Sequence, residues 1–183
     1  MSDRDAKILD AAMRSFTRYG VAKTTMHDIA QEAGVARQTL YNAYPGKEQV
    51  LRATVKAVAI KNYHDVTAQW ALAGSLSDKL DIFIERVPLH WYDQIQQAPD
   101  AAELINGLHQ VAAEELKQVD AVWIGAFQDL IADHANGQTD LRNLADFIYT
   151  SGVNAKYGAD SRNVLVGRLK VWKAAVLGLI SET

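Results

Sequence analysis

A short run near the N-terminus, residues 24–50, constrains the fold of this chain more than any other stretch. It reads TTMHDIAQEAGVARQTLYNAYPGKEQV. Thr25 and Asp28 have the spacing of a capping box, in which the hydroxyl accepts from the backbone N–H three residues on and the carboxylate reaches back. Gly34 stands where a left-handed residue ends a helix at little cost. These signals predict a short helix over Met26–Ala33.

A second short helix is predicted to begin near Ala36 and to end before Pro45, because proline cannot continue a helix. Val35 and Leu40 are expected to face a small core. The opposite side carries hydrogen-bonding groups, those of Arg37, Gln38, Thr39, Tyr41 and Asn42. Two helices around a glycine turn are typical of a helix-turn-helix, whose second helix enters the DNA major groove. Arg and Gln can bind guanine and adenine edges, whereas Thr and Tyr suit phosphates or a thymine methyl.

The pattern I-A-x-x-A-G-V-x-R-x-T-L-Y-x-x-Y-P-x-K-E in this stretch resembles the signature of the tetracycline-repressor (TetR) family of bacterial transcription factors. Its positions here are Ile29, Ala30, Ala33, Gly34, Val35, Arg37, Thr39, Leu40, Tyr41, Tyr44, Pro45, Lys47 and Glu48. Two positions depart from the family: Ala36 replaces a usual capping Ser or Thr, and Ala43 replaces a frequent histidine.

The resemblance implies an all-α, nine-helix TetR-like fold. A three-helix DNA-binding domain over residues 1–47 is expected to precede a ligand-binding and dimerisation domain over residues 48–183. The residues expected to contact DNA are Thr24, Thr25, Arg37, Gln38, Thr39, Tyr41, Asn42, Tyr44 and Lys47. Threonine hydroxyls and free amides at a helix N-terminus suit a phosphate.

Composition and charge are consistent with this interpretation. The net charge of −3 is unevenly distributed, with +2 over residues 1–52 and −5 over the rest, so the positive end carries the motif. The absence of cysteine excludes disulfides and thiolate sites. The charged N-terminus resembles no signal peptide, and no apolar run approaches the roughly 18 residues of a membrane span. A soluble, cytoplasmic protein is therefore expected, with no membrane partner.

Helical periodicity continues through the rest of the chain. A helix over Asp3–Tyr19 is expected to brace the motif, and a long helix should run from Lys47 to about Leu72. A Ser75-capped helix should be kinked at Pro88, which would open space beside Leu89, Trp91, Tyr92 and Ile95. The remaining predicted helices are Ala101–His109, Val111–Ala135 (ended by Asn136-Gly137), Leu141–Tyr157 and Ser161 to about Ser181. Their natural caps are Asp140 for the first of the last two helices and Asp160 or Ser161 for the second.

Aromatic residues concentrate in the C-terminal part, and they have two interpretations. They are either ordinary core residues, or several of them line an apolar cavity for a small molecule. Because TetR-like proteins hold an effector in the larger domain, the resemblance favours the cavity. Its expected lining is Tyr63, Trp70, Phe83, Val87, His90, Trp91, Trp123 and Phe127.

The final helix has apolar or small residues over more than half of its circumference, which is more than one core-facing stripe requires. This excess predicts a second contact, a four-helix bundle formed by the last two helices and their two-fold copies. The predicted dimer interface consists of Phe147, Ser151, Ala155, Val164, Arg168, Val171, Ala175 and Gly178.

Motifs for other chemistry are missing. The five histidines form no metal-binding pattern, and no phosphate loop or nucleophile motif is present, so no metal, cofactor or enzymatic activity is predicted. The sequence predicts a ligand-responsive, homodimeric regulator of a double-stranded DNA operator, a repressor released by a small apolar or aromatic effector. The alternative is a TetR-fold small-molecule or lipid-binding protein without DNA-binding function.

Overall fold

A computed structural model describes residues 2–97, 111–134 and 140–181, and all the regular secondary structure of these residues is helical. The elements are α1 (Asp3–Tyr19), α2 (Met26–Ala33), α3 (Arg37–Ala43), α4 (Lys47–Trp70), α5 (Leu76–Ile84), a π-helical turn (Glu85–Leu89), α6 (His90–Gln96), α7 (Ala113–Ile131), α8 (Leu141–Asn154) and α9 (Arg162–Ser181). The predicted helix Ala101–His109 and the predicted stop at Asn136-Gly137 lie outside the described residues.

The helix boundaries follow local signals. Ser75 caps α5 as predicted, because its Oγ accepts from the N–H of Asp78 at 3.1 Å and donates to the carboxylate at 2.7 Å. Asp140 caps α8 by accepting from two first-turn amides, at 3.0 and 3.3 Å. Each side chain satisfies backbone donors that a helix N-terminus leaves without an intrahelical partner.

Pro88 changes the helical geometry without ending the helix. The chain passes from α5 through the π-helical turn Glu85–Leu89 directly into α6. A π turn is a known accommodation for an interrupted hydrogen-bond ladder. The expectation of open space beside the proline is wrong at Leu89 and Tyr92, because both are buried against Leu165 and Leu169 of α9.

Two compact units make up the chain, Met1–Ile60 with Ile95–Val119, and Lys61–Gln94 with Asp120–Thr183. Helices α4 and α7 each contribute residues to both units. In the first unit, α1 to α4 enclose one small core of Ile8, Ala12, Phe16, Met26, Ile29, Ala30, Leu40, Val50 and Leu51. Among the described residues, no helix is long and apolar enough to cross a bilayer.

Candidate nucleic-acid interface

The turn between α2 and α3 has the geometry that the sequence predicts. Thr25 and Asp28 form the reciprocal capping box: Asp28 N–H donates to the Thr25 hydroxyl at 3.2 Å, and the Thr25 N–H donates to the carboxylate at 2.8 Å. The hydrogen bonds from Thr25 hold the pKa of Asp28 below its usual value. Gly34 ends α2 in the left-handed conformation, at φ 65°. The chain therefore reverses within three residues and enters α3 as the second helix of a helix-turn-helix.

Helix α3 is attached to the core through one side. Leu40 is fully buried, and Thr39 is half-buried. The remaining predicted contact residues of this helix, Arg37, Gln38, Tyr41 and Asn42, are all exposed. Ala36 caps α3 without a side-chain hydrogen bond. The structure thus places guanidinium, amide and phenol groups together on one accessible surface, which suits hydrogen bonding to base edges and phosphates.

The exposed surface of α3 contains one internal contact. Gln38 Nε2 donates to Asn42 Oδ1 at 2.8 Å, one helical turn away. The two side chains therefore lie along the same stripe of the helix, since residues four apart are neighbours on a helix surface.

Lys47, at the start of α4, has partners inside the chain in addition to its predicted contact with DNA. Its Nζ donates to the carbonyl oxygens of Val21 and Ala22 at 2.8 and 3.0 Å. The ammonium thus joins the α1–α2 loop to α4, with one of its three donors left for another acceptor. Tyr44 is half-buried and packs against the core of the first unit. Burial raises the pKa of its phenol, and the negative charge of Asp5 makes a smaller contribution in the same direction.

Thr24 requires a correction, because the structure turns it inward. Only 1% of the residue is exposed, and its hydroxyl donates to the carbonyls of Gly20 and Ser15 at 2.7 and 3.2 Å. Its backbone N–H also donates to Gly20, at 3.2 Å. With both donors satisfied inside the first unit, Thr24 shapes the α1–α2 loop and offers nothing to a phosphate. Thr25 remains exposed beside it.

Sequence reasoning missed a pair of contacts between α4 and α7 within the first unit. Arg52 Nη1 lies 3.5 Å from Glu115 Oε1, and Lys56 Nζ donates to Gln118 Oε1 at 3.0 Å. Glu115 Oε2 is buried without a hydrogen-bond partner among the described residues. The partners are more than 60 residues apart in the chain, so no local pattern could reveal them. The only available signal was the one-turn spacing of the cations on α4.

The predicted ligand residues of the second unit form a closed aromatic core. Phe83 and Phe127 are fully buried, with ring centroids 4.9 Å apart and perpendicular planes. Trp70, Trp123 and the half-buried Tyr63 add edge-to-face contacts at 5.2 to 6.0 Å. Such contacts stabilise a core beyond the burial of area. These rings are brought together as predicted, but as packed core, which is the first of the two interpretations above.

The other three predicted ligand residues differ among themselves. Val87 is buried in the π-helical turn. His90 is exposed, and its described ring contact is with the half-buried Trp91 at 5.9 Å. The expectation that His90 lines a cavity with the aromatic residues is therefore corrected, because its imidazole is exposed on α6.

A polar group borders the aromatic core. The Tyr149 hydroxyl donates to Asp120 Oδ1 at 2.7 Å, and the Tyr149 ring stacks on Trp123. Burial, followed by the negative charge of Asp120, raises the Tyr149 pKa far above its usual value. Lys156 donates to the Val153 carbonyl at 2.6 Å. Burial lowers the pKa of its ammonium to about 8, although the negative charge of Asp120 acts in the opposite direction. The Tyr149 phenol is therefore neutral, whereas Lys156 holds its charge in a largely desolvated place.

Six of the eight predicted dimer residues are exposed in the isolated chain, and five of these are apolar residues or glycine. Phe147 on α8 is 56% exposed, and Val164 and Val171 on α9 are 42% and 71% exposed. Ala175 and Gly178 are exposed as well, and a Cβ at Gly178 or Gly167 would meet no atom within 4 Å. Spaced three and four residues apart, the α9 members share one apolar stripe. A helix surface of this kind suits close packing against another helix.

The other three predicted dimer residues have partners inside the chain. Ser151 Oγ accepts from Trp172 Nε1 at 3.0 Å, and Ala155 packs in the Leu165 cluster. Arg168, though exposed, donates to the carbonyls of Ala155, Tyr157 and Gly158 at 2.8 to 3.1 Å and so caps the end of α8. Gly152 also serves the intrachain core, because a Cβ there would lie 2.8 Å from the Trp172 ring.

Comparisons with known proteins agree with this geometry. The family model "Bacterial regulatory proteins, tetR family" matches residues 8–54, from α1 into α4. The transcriptional regulator TtgR of Pseudomonas putida is 34% identical over 76 residues, which are 42% of this chain and 34% of that protein. BetI of Agrobacterium fabrum is 30% identical over 81 residues, 44% of this chain and 39% of that one. The chain thus matches well under half the length of these relatives.

Solved structures extend the similarity of fold to the whole chain. A TetR transcription regulator from Haloarcula marismortui superposes with a TM-score of 0.70 at 14% identity, covering 100% of this chain and 99% of the other. A TetR-family regulator from Streptomyces coelicolor gives 0.68 at 19% identity, over 97% and 96%. At such identities the likeness concerns the fold alone.

Proposed function

We propose that this chain, whose residues 8–54 match the TetR family of bacterial regulatory proteins, binds an operator in double-stranded DNA and regulates transcription. The observation that carries the proposal is the exposed α3 surface inside the matched segment, where Leu40 alone is fully buried. The family consists of regulators and not of enzymes, so no catalytic role is assigned.

The proposed contacts divide by chemistry. Arg37 and Gln38 read base edges, because a guanidinium can bind guanine and a side-chain amide can bind adenine through two hydrogen bonds each. Thr25, Tyr41 and Tyr44 are assigned to the phosphate backbone, which fixes register without reading sequence. Further proposed contacts, on the edge of the same surface, come from Thr39, Asn42 and the remaining donor of Lys47.

A homodimer is the second part of the proposal. One short reading helix spans too few base pairs for strong discrimination, whereas two on a two-fold axis read half-sites about 34–36 Å apart. The apolar stripe on α9 supports this assembly, because Val171 is 71% exposed and Gly178 leaves open space for a neighbouring helix. Phe147, Val164 and Ala175 complete the proposed interface with Val171 and Gly178.

Regulation by a small apolar or aromatic effector is the third part, with release of a repressor from DNA as the outcome. The aromatic core of the second unit supports it, because parting of these rings would create an apolar site bordered by the Asp120 and Tyr149 polar pair. Helices α4 and α7 each contribute residues to both units, so the polypeptide runs from one unit into the other within each of these helices. An effector must bind the DNA-free state more tightly to act as an inducer.

The DNA-binding proposal is tested by titrating the protein into labelled DNA from the promoter region beside its own coding sequence. Binding is monitored by fluorescence anisotropy. Arg37→Ala should weaken binding by about 1–3 kcal/mol at moderate salt, because it removes a base contact. Arg142→Ala is the matched control: Arg142 is exposed on α8, and its loss removes the same charge. Equal binding by both variants, or no saturable binding by the unmodified protein, would favour the small-molecule-binding alternative.

A further inference from the structure

A side-chain hydrogen bond joins Gln38 and Asn42 on the surface of α3 that is proposed to bind DNA. Gln38 Nε2 donates to Asn42 Oδ1 at 2.8 Å, and both residues are exposed. Neither side chain belongs to the core of the first unit, where Leu40 makes the buried contact of α3. The bond therefore orients a side-chain amide on a surface that is otherwise open.

The donors and acceptors that remain on Gln38 form a specific pattern. A glutamine amide has two N–H donors and one carbonyl oxygen. One N–H of Gln38 is given to Asn42, which leaves the other N–H and Oε1 available to a base edge. Adenine presents an acceptor, N7, beside a donor, the N6 amino group, in the major groove. The free edge of Gln38 matches this pair of groups through two hydrogen bonds.

Guanine presents a different pattern to the same edge. Its N7 and O6 are both acceptors, so one of them would face the Oε1 lone pairs of Gln38. Arg37, the preceding residue, has only donors and suits guanine instead. The two exposed neighbours on α3 therefore have opposite preferences, and the preference of Gln38 depends on which edge of its amide is free.

We propose that Asn42 is a positioning residue that holds the Gln38 amide in the orientation that reads adenine, so that an A·T pair faces Gln38 in each half-site. The inference rests on the proposed DNA-binding function and adds to it the identity of one base pair. Because a free glutamine side chain has many rotamers, fixing its end before DNA arrives reduces the entropy lost on binding.

The test begins with selection of duplexes from a random library by the full-length protein, followed by anisotropy titration of the enriched sequence. Each A·T pair is then replaced by G·C. One position per half-site should weaken binding by the unmodified protein about 5- to 150-fold, the range for one bidentate base contact. Gln38→Ala should abolish the discrimination at that position and keep the discrimination elsewhere.

Asn42→Ala provides the decisive comparison. It should reduce the A·T preference at the Gln38 position about 2- to 12-fold, since an unfixed side chain loses more freedom on binding. It should have no further effect on that preference in the Gln38→Ala background. Gln31→Ala removes an exposed amide from α2 and serves as the control, with the preference unchanged at every position.

The outcomes separate this inference from the function on which it rests. If the library yields no enriched duplex, the DNA-binding proposal itself fails. If a duplex is enriched and Asn42→Ala retains the full A·T preference while its melting temperature falls, the hydrogen bond serves the helix alone. That second result would overturn the assignment of Asn42 and leave the DNA-binding function intact.

Discussion

Replacing Val171 by aspartate should separate the proposed dimer without unfolding the protomer. Val171 is 71% exposed on α9, so in an isolated chain the change meets mostly water. A surface substitution of this kind alters the free energy of unfolding by about 0.5 kcal/mol or less. In a dimer that packs α9 against its copy, the same change places a carboxylate in an apolar contact.

The size of the effect follows from the exposed fraction. Full burial of a valine side chain stabilises by about 1.5–3 kcal/mol, so covering the exposed 71% of Val171 contributes about 1–2 kcal/mol per copy. A two-fold interface contains the residue twice, which gives about 2–4 kcal/mol. The dimer dissociation constant should rise about 30- to 700-fold from this loss alone. Desolvation of the two carboxylates adds to it.

Sedimentation velocity across nanomolar to micromolar concentrations measures the dissociation constant. Asn163→Asp is the matched control, because it introduces the same charge at an exposed α9 residue outside the apolar stripe. Operator affinity should fall in parallel with dimerisation for Val171→Asp and stay constant for Asn163→Asp. A monomeric unmodified protein, or a Val171→Asp dimer as tight as the original, would refute the assigned interface.

Three further changes test individual contacts. Lys47→Ala should lower the free energy of unfolding by about 1–3 kcal/mol in urea titration, because two loop carbonyls lose a charged donor; unchanged stability would contradict the structural role. Gly152→Ala should cost about 1–3 kcal/mol, because the added methyl meets the Trp172 ring at 2.8 Å, and a neutral effect in the same assay would contradict that packing. The free energy of unfolding should rise from pH about 8 to about 10, because in this range Lys156 keeps its proton in the unfolded chain and loses it in the folded one. Above pH about 10 the free energy of unfolding should fall, because Tyr149 then loses its proton in the unfolded chain and keeps it in the folded one. Lys156→Met should remove the rise, and parallel profiles for both proteins would exclude Lys156 as its source.

Local chemistry made the bounds of α2 and α3 predictable from the sequence. The capping box at Thr25, the left-handed Gly34 and the stop before Pro45 each depend on residues within four positions of one another. The bounds of α2 follow from them directly. The side of α3 that meets the core was equally predictable, because Leu40 is the apolar residue at its centre.

Contacts distant in the sequence were not predictable. Thr24 was predicted to contact DNA, because nothing in the local sequence shows that its hydroxyl donates to the carbonyls of Ser15 and Gly20. Arg168 was predicted to lie in an interface, yet its guanidinium donates to carbonyls 10 to 13 residues earlier, just after the end of α8. Polar side chains are ambiguous in this way, because the same donor suits water, a partner molecule or an orphan carbonyl. Only three-dimensional packing decides among them.

The division of labour within α3 has an evolutionary consequence. Leu40 is the one fully buried residue of this helix, whereas Arg37, Gln38, Tyr41 and Asn42 are exposed. Substitutions at exposed positions generally leave stability nearly unchanged. A lineage that carries this scaffold can therefore exchange its reading residues one at a time and acquire new operators, without passing through poorly folded intermediates.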